Sequence, residues 1–214
     1  MKPVRWYFDF VSPFAYLQSR RLAEFDGTAA IEPVPVLFAG LLNHWGTTGP
    51  AELGPKRLWT YRFCQWLADS RGIPFVMPPA HPFNPIRPLR LAIAAGCDRA
   101  AIDTIFRFLW GEGRDLDDPT TWRALTDDLG MADADAQIAD PAVKDRLRGN
   151  TDAAIARGVF GVPTLEVDGE LFWGMDGTDF ARAYLDDPDL LSAPAMARLS
   201  DVPTGVSRRP GAGK

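Results

Sequence analysis

The chain has 214 residues, 46% hydrophobic and 24% charged, the balance of a globular protein able to build one large domain or a small domain carrying an insertion. With 23 basic against 28 acidic residues its net charge is -5, and no Lys/Arg run forms a nucleic-acid or polybasic membrane patch. No window approaches the ~18 uninterrupted apolar residues of a spanning helix, so neither nucleic acid nor membrane is an expected partner and the cytoplasm is the expected location. Residues 1–10 lack the apolar h-region of a signal peptide and read as a first strand.

That strand covers residues 4–10, which alternate and are rich in β-branched and aromatic types; Pro13 then opens a helical pattern to Ala23. Residues 31–37 form a second β-like run, which Pro33 and Pro35 confine to an edge or leave irregular. Residues 43–55, rich in Gly, Thr and Pro, read as a loop. From Lys56 to Arg157 the periodicity is helical, with Leu58, Phe63, Trp66 and Leu67 on one stripe and helix starts at Asn84-Pro85, near Asp118 and at Pro141. After Gly158 the pattern returns to strand at 164–167, a hairpin at Asp168-Gly169, strand at 171–173 and a helix from Thr178 to Tyr184. Residues beyond Ser200 have the composition of a disordered tail. The expectation is an α/β domain from residues 1–45 and 155–187, interrupted by a helical insertion at 46–154, with an extension at 188–214.

Ser12 falls where a strand ends and a helix begins. Ser before Pro is also an ordinary helix cap, so the residue alone does not mark a site. No GxSxG is present, and with His44 and His81 as the only histidines a Ser-His hydrolase would have to recruit one from a loop. Cys64 and Cys97 lie in helical segments without CxxC spacing and read as buried reduced thiols; no His/Cys set has metal-ligand spacing. Trp59, Trp66, Trp110 and Trp122 are expected in the helical core or the cleft beside it, and Arg87 and Arg90 on a solvated face.

Taken together, the strand-helix turn at Ser12 and the Val162-Pro163-Thr164 sequence before a hairpin resemble the thioredoxin superfamily. Ser12-Pro13-Phe14-Ala15 stands where DsbA-type oxidoreductases have Cys-Pro-His-Cys, and both redox cysteines are absent. Tyr7-Phe8-Asp9-Phe10, Leu109-Trp110-Gly111-Glu112-Gly113, Val159-Phe160-Gly161-Val162-Pro163-Thr164 and Trp173-Gly174 followed by Asp176 make the chain similar to 2-hydroxychromene-2-carboxylate isomerases and kappa-class glutathione transferases over about residues 4–187. The resemblance implies a DsbA-like thioredoxin fold with an all-helical insertion, a cis Pro163, and glutathione as cofactor. It implies Ser12 as the catalytic group beside the glutathione sulfur, with Lys56, Val162, Pro163 and Asp176 holding the tripeptide. A thiol of pKa about 8.5 is mostly protonated at neutral pH, so a donor at Ser12 and a helix start would favour the thiolate. Met175 departs from the polar residue usual in these relatives. The implied activity is isomerisation of 2-hydroxychromene-2-carboxylate in aromatic degradation; a kappa-like transferase and a noncatalytic peptide-binding module remain alternatives, and a homodimer is compatible with such a chain.

Overall fold

The computed structural model describes residues 1–206; the last part of the expected disordered tail, residues 207–214, lies outside the described residues. The first strand, β1 (Lys2–Phe8), stops two residues short of the alternating run because Asp9 and Phe10 turn away from the sheet. After four intervening residues Pro13 starts α1 (Pro13–Ser19), with its fixed φ in the first turn and Ser12 as N-cap. β2 (Ala29–Pro35) is followed by α2 (Phe38–Trp45), a helix that the loop-like composition from Asn43 onward conceals. The helical run comprises α3 (Gly54–Ser70), α4 (Ile86–Ala94), α5 (Arg99–Phe106), α6 (Pro119–Asp128), α7 (Ala134–Ala139) and α8 (Pro141–Ala156), α5 continuing into a π-helical turn at Arg107–Gly111. The hairpin β3 (Thr164–Val167) and β4 (Glu170–Trp173) follows, then α9 (Gly177–Asp186) and the short α10 (Pro194–Ala197) in an exposed C-terminal stretch.

The four strands form one mixed sheet of order β2-β1-β3-β4. β1 pairs parallel with β2 and antiparallel with β3, and β3 pairs antiparallel with β4. β2 is an edge strand, as its two prolines require. The two-residue period of β1 divides the cores. Val4, Trp6 and Phe8 enter the larger one, with Leu17 and Ala181 from α1 and α9 and with Phe106 from the helical run; Phe8 and Phe106 rings lie 5.8 Å apart. Tyr7, on the other face, packs with Val36, Leu41, Ala154 and Val159, so α2 and the end of α8 cover that side. This is the thioredoxin sheet with a helical insertion that shares its main core.

Among the tryptophans, Trp110 and Trp122 are buried, but Trp59 and Trp66 are 60% and 61% exposed and so lie outside the core, one of the two places expected for them. The reason is the orientation of α3: it buries Thr60, Cys64, Leu67 and Ala68, and turns Trp59 and Trp66 outward, stacked on either side of the half-buried Phe63. Cys64 is fully buried, whereas Cys97 is only partly so.

Candidate active site

The register brings three chain segments to one end of the sheet. Tyr7 is opposite Thr164, and Thr164 is opposite Trp173. The residues leaving these positions, 9–12, 161–163 and 174–176, are therefore neighbours. Hydrogen bonds join the last two to each other and to α1: the Gly174 N–H donates to Pro163 O at 2.8 Å, and the buried Gln18 of α1 donates to Gly174 O and Thr178 Oγ1 while accepting from Trp6 Nε1. Gly174 has φ +87, and a Cβ there would meet Asp176 Oδ1 at 2.5 Å, so the turn requires glycine.

Ser12 is 7% exposed. Its Oγ accepts the Ala15 N–H at 3.2 Å, which is the capping role expected of Ser before Pro. Capping uses an oxygen lone pair only. Among the described residues the hydroxyl proton has no acceptor, so Ser12 remains a donor toward whatever enters beside it.

Three side chains fix the turn that carries it. Asp9 is fully buried without a cation; its Oδ1 accepts the Val11 N–H at 3.0 Å and its Oδ2 the Phe38 N–H at 2.8 Å, tying this turn to the start of α2. Burial pushes the Asp9 carboxyl up to about 7, against the two amide donors that favour its charged form. Trp110 Nε1 donates to Phe10 O at 2.8 Å. His81 Nε2 lies 2.8 Å from Val11 O, and its Nδ1 lies 2.7 Å from the Tyr61 hydroxyl. Burial holds the imidazole below its ordinary pKa. On the opposite sheet face Glu166 is held by Arg5, Arg157 and Tyr7; burial, then the Glu166 bond, raises the Tyr7 phenol, and this group serves the fold.

The Val162–Pro163 peptide is cis. Val162 lies outside β3, and among the described residues neither its N–H nor its C=O has a hydrogen-bond partner. Asp176 is the exposed N-cap residue of α9 but makes no side-chain capping bond, which leaves its carboxylate available. Met175 is 6% exposed and packs into the main core, so the change from a polar residue has become a packing contact. Lys56 lies on the first turn of α3, not in a preceding loop; it is exposed and forms no ion pair among the described residues. Hydrogen bonds join the Pro163 and Gly174 turns to each other and to Gln18 of α1, and none of those bonds includes Lys56. Arg87 stacks on Trp122 at 3.6 Å and pairs with Asp135, a structural role within the insertion.

Sequence reasoning passed over Asp9, His81 and Trp110 as parts of this site. Asp9 had a readable signal, an acid between Phe8 and Phe10 with no nearby cation. Trp110 stands in a stretch that carries the family resemblance but without an indication of its partner, which is 100 residues away, and His81 had no signal, its partner being 70 residues away.

A serine-bearing strand-helix turn and a cis-proline loop at the same end of one sheet, with a helical insertion between them in sequence, define a DsbA-like protein with no cysteine at position 12 or 15. The family model for the DSBA-like thioredoxin domain matches residues 3–186, and the chain belongs to that family, within the group of 2-hydroxychromene-2-carboxylate isomerases. It is 32% identical to the 2-hydroxychromene-2-carboxylate isomerase of Sphingobium xenophagum over 196 residues, 87% of this chain and 99% of the relative. It is 28% identical over 182 residues to glutathione S-transferase kappa 2 of Caenorhabditis elegans, covering 78% and 81% of the two chains. A solved 2-hydroxychromene-2-carboxylate isomerase superposes with a TM-score of 0.76 at 26% identity, over 93% of this chain and 98% of that one. Among the described residues no helix is long and apolar enough to cross a membrane.

Proposed function

We propose that this protein is a glutathione-dependent isomerase acting on 2-hydroxychromene-2-carboxylate or a closely related conjugated aromatic acid. The observation that carries the reading is the pairing, at one end of the sheet, of an uncommitted Ser12 hydroxyl donor with the unpartnered backbone N–H and C=O of Val162. A tripeptide thiol fits that pair: its cysteinyl backbone adds as a short strand on Val162 while its sulfur meets Ser12. When bound, glutathione supplies the nucleophilic sulfur that adds to the conjugated carbon and leaves again after bond rotation.

The chain's own residues do the rest. Ser12 donates to the sulfur and favours its anionic form both before addition and after elimination. Val162 and Pro163 fix the register of the tripeptide, Asp176 receives its ammonium group, and Lys56 supplies a cation for one of its carboxylates. A cytoplasmic site of action fits a cofactor that must stay reduced. Relatives named as isomerases and as transferases support either outcome of such a site. The deciding experiment incubates the protein with the chromene and substoichiometric glutathione, following product and free thiol together. Many turnovers with constant thiol support the isomerase; thiol lost one for one with substrate identifies a transferase, and no reaction with any electrophile refutes both.

A further inference from the structure

We propose that His81, held by Tyr61, is a positioning residue that fixes the Ser12 hydroxyl from within the helical insertion; this rests on the reading of Ser12 given above. Four residues, Asp9 to Ser12, lie between β1 and α1. They belong to neither element, so their backbone polar groups need partners from elsewhere. The peptide unit immediately before Ser12 joins Val11 C=O to Ser12 N–H. Its nitrogen end donates to Asp9 O at 3.1 Å and its oxygen end accepts from His81 at 2.8 Å. With both ends held, the plane of that peptide is fixed, and with it the direction of the Ser12 side chain.

The chemistry also fixes the state of His81. Val11 O can only accept, so Nε2 carries the proton, and Nδ1 is then an acceptor for the Tyr61 hydroxyl at 2.7 Å, nearer than the His81 carbonyl oxygen, which the same hydroxyl meets at 3.1 Å. Tyr61 lies on α3 and His81 in the segment between α3 and α4, so the relay runs from the insertion into the thioredoxin sheet. Trp110, at 2.8 Å from Phe10 O, grips the same turn one peptide earlier, and Asp9 holds the Val11 N–H. The Ser12 hydroxyl donor, outside this set of bonds, is left for a ligand.

The test compares His81→Leu, which keeps the bulk and removes the donor, with His81→Gln, whose carboxamide can again donate to Val11 O. For His81→Leu, kcat/KM for the isomerisation should fall about 10-fold to 100-fold, since small misplacements of a reacting group cost that much. The titration of bound glutathione, followed by thiolate absorbance, should move upward. Binding of γ-Glu-Ala-Gly, which lacks the sulfur, should change less than about 2-fold, because Val162 and Asp176 are untouched. His81→Gln should recover most of the loss. Tyr61→Phe, a milder change, should show the same effects at smaller size. Amide exchange at Val11 and Ser12, read by NMR without ligand, should accelerate in His81→Leu and return in His81→Gln. Unaltered exchange and activity in His81→Leu, or equal impairment in the Gln variant, would overturn the proposal. Should the parent protein fail to bind γ-Glu-Ala-Gly, the glutathione reading falls, and amide exchange alone decides whether His81 holds the turn.

Discussion

Replacing Asp9 with Asn tests whether the carboxyl under the Ser12 turn is the most strongly pH-linked group of the fold. Its pKa is raised to about 7 from 3.8, with burial the largest cause. In the native state it therefore holds a proton through a window in which the unfolded chain has released it. Stability from this group is full below about pH 4 and is lost as pH rises through about 7. Between pH 5 and pH 8 the expected loss is about 2 to 3 kcal/mol, from the linkage relation with those two values. His81, whose native pKa is lowered, works in the opposite direction, losing stability as pH falls through its native value. Subtracting the Asp9→Asn variant cancels His81 and the other groups. The amide is neutral like the protonated acid, but its NH2 cannot accept, so one of the N–H groups of Val11 and Phe38 loses its acceptor at every pH, a constant offset to the difference. Urea unfolding at pH 5, 6, 7 and 8 should give a parent-minus-variant difference that falls by about 2 to 3 kcal/mol across the series, with unchanged m-values. A difference independent of pH would show that Asp9 does not change charge in this range, and the argument from its burial would fail.

Ser12→Ala should lower kcat/KM for the glutathione-dependent reaction by about 5-fold to 150-fold and raise the apparent pKa of the bound thiol, with about 1 kcal/mol of stability lost through the missing cap; full activity with an unchanged thiol pKa would leave Ser12 as a cap alone. Glutathione at millimolar concentration should raise the melting temperature, and calorimetry without a binding signal refutes that. Gly113→Ala should destabilise the fold by about 2 to 4 kcal/mol in chemical unfolding, because φ is +66 and the added Cβ would lie 2.5 Å from Val76 Cγ1 and 3.0 Å from Met77 O. Neither Cys64→Ser nor Cys97→Ser should remove turnover, and the parent should not reduce insulin above background.

The parts of the fold that were legible carry their signals locally. Alternation in β1, Pro13 after Ser12, and Asp168-Gly169 between two short β runs each report on neighbours a few residues away. α2 was not legible, because its start is held from a distance: the Phe38 N–H donates to Asp9 Oδ2, and the Leu37 N–H to Thr151 Oγ1 at 3.0 Å, 114 residues along the chain. No capping residue precedes it in sequence. The stripe on α3 misled for a different reason. Its aromatic residues have helical spacing, but Thr60, Cys64, Leu67 and Ala68 have it too, and those form the buried face. Periodicity identifies a helix with an apolar side; it does not say which of two apolar sides meets the core. At the site, Ser12, Val162 and Asp176 were found through the family resemblance, whereas the supports of the Ser12 turn appear only once the insertion is folded onto it.

The residues of the Ser12 turn also bear on where a sulfur could come from. Ala15, three residues after Ser12, is fully buried and part of the core. Cys64 is equally buried, and burial pushes its thiol up to about 12; burial raises Cys97 as well. A thiol in such surroundings is a poor nucleophile at neutral pH. What the site retains is a hydroxyl donor and a strand-like backbone edge, which can orient a peptide thiol but cannot replace one. If sulfur chemistry takes place beside Ser12, the sulfur arrives with the ligand, and the protein's part is to hold the tripeptide at Val162 and to keep the Ser12 turn rigid enough for one hydrogen bond to favour the thiolate.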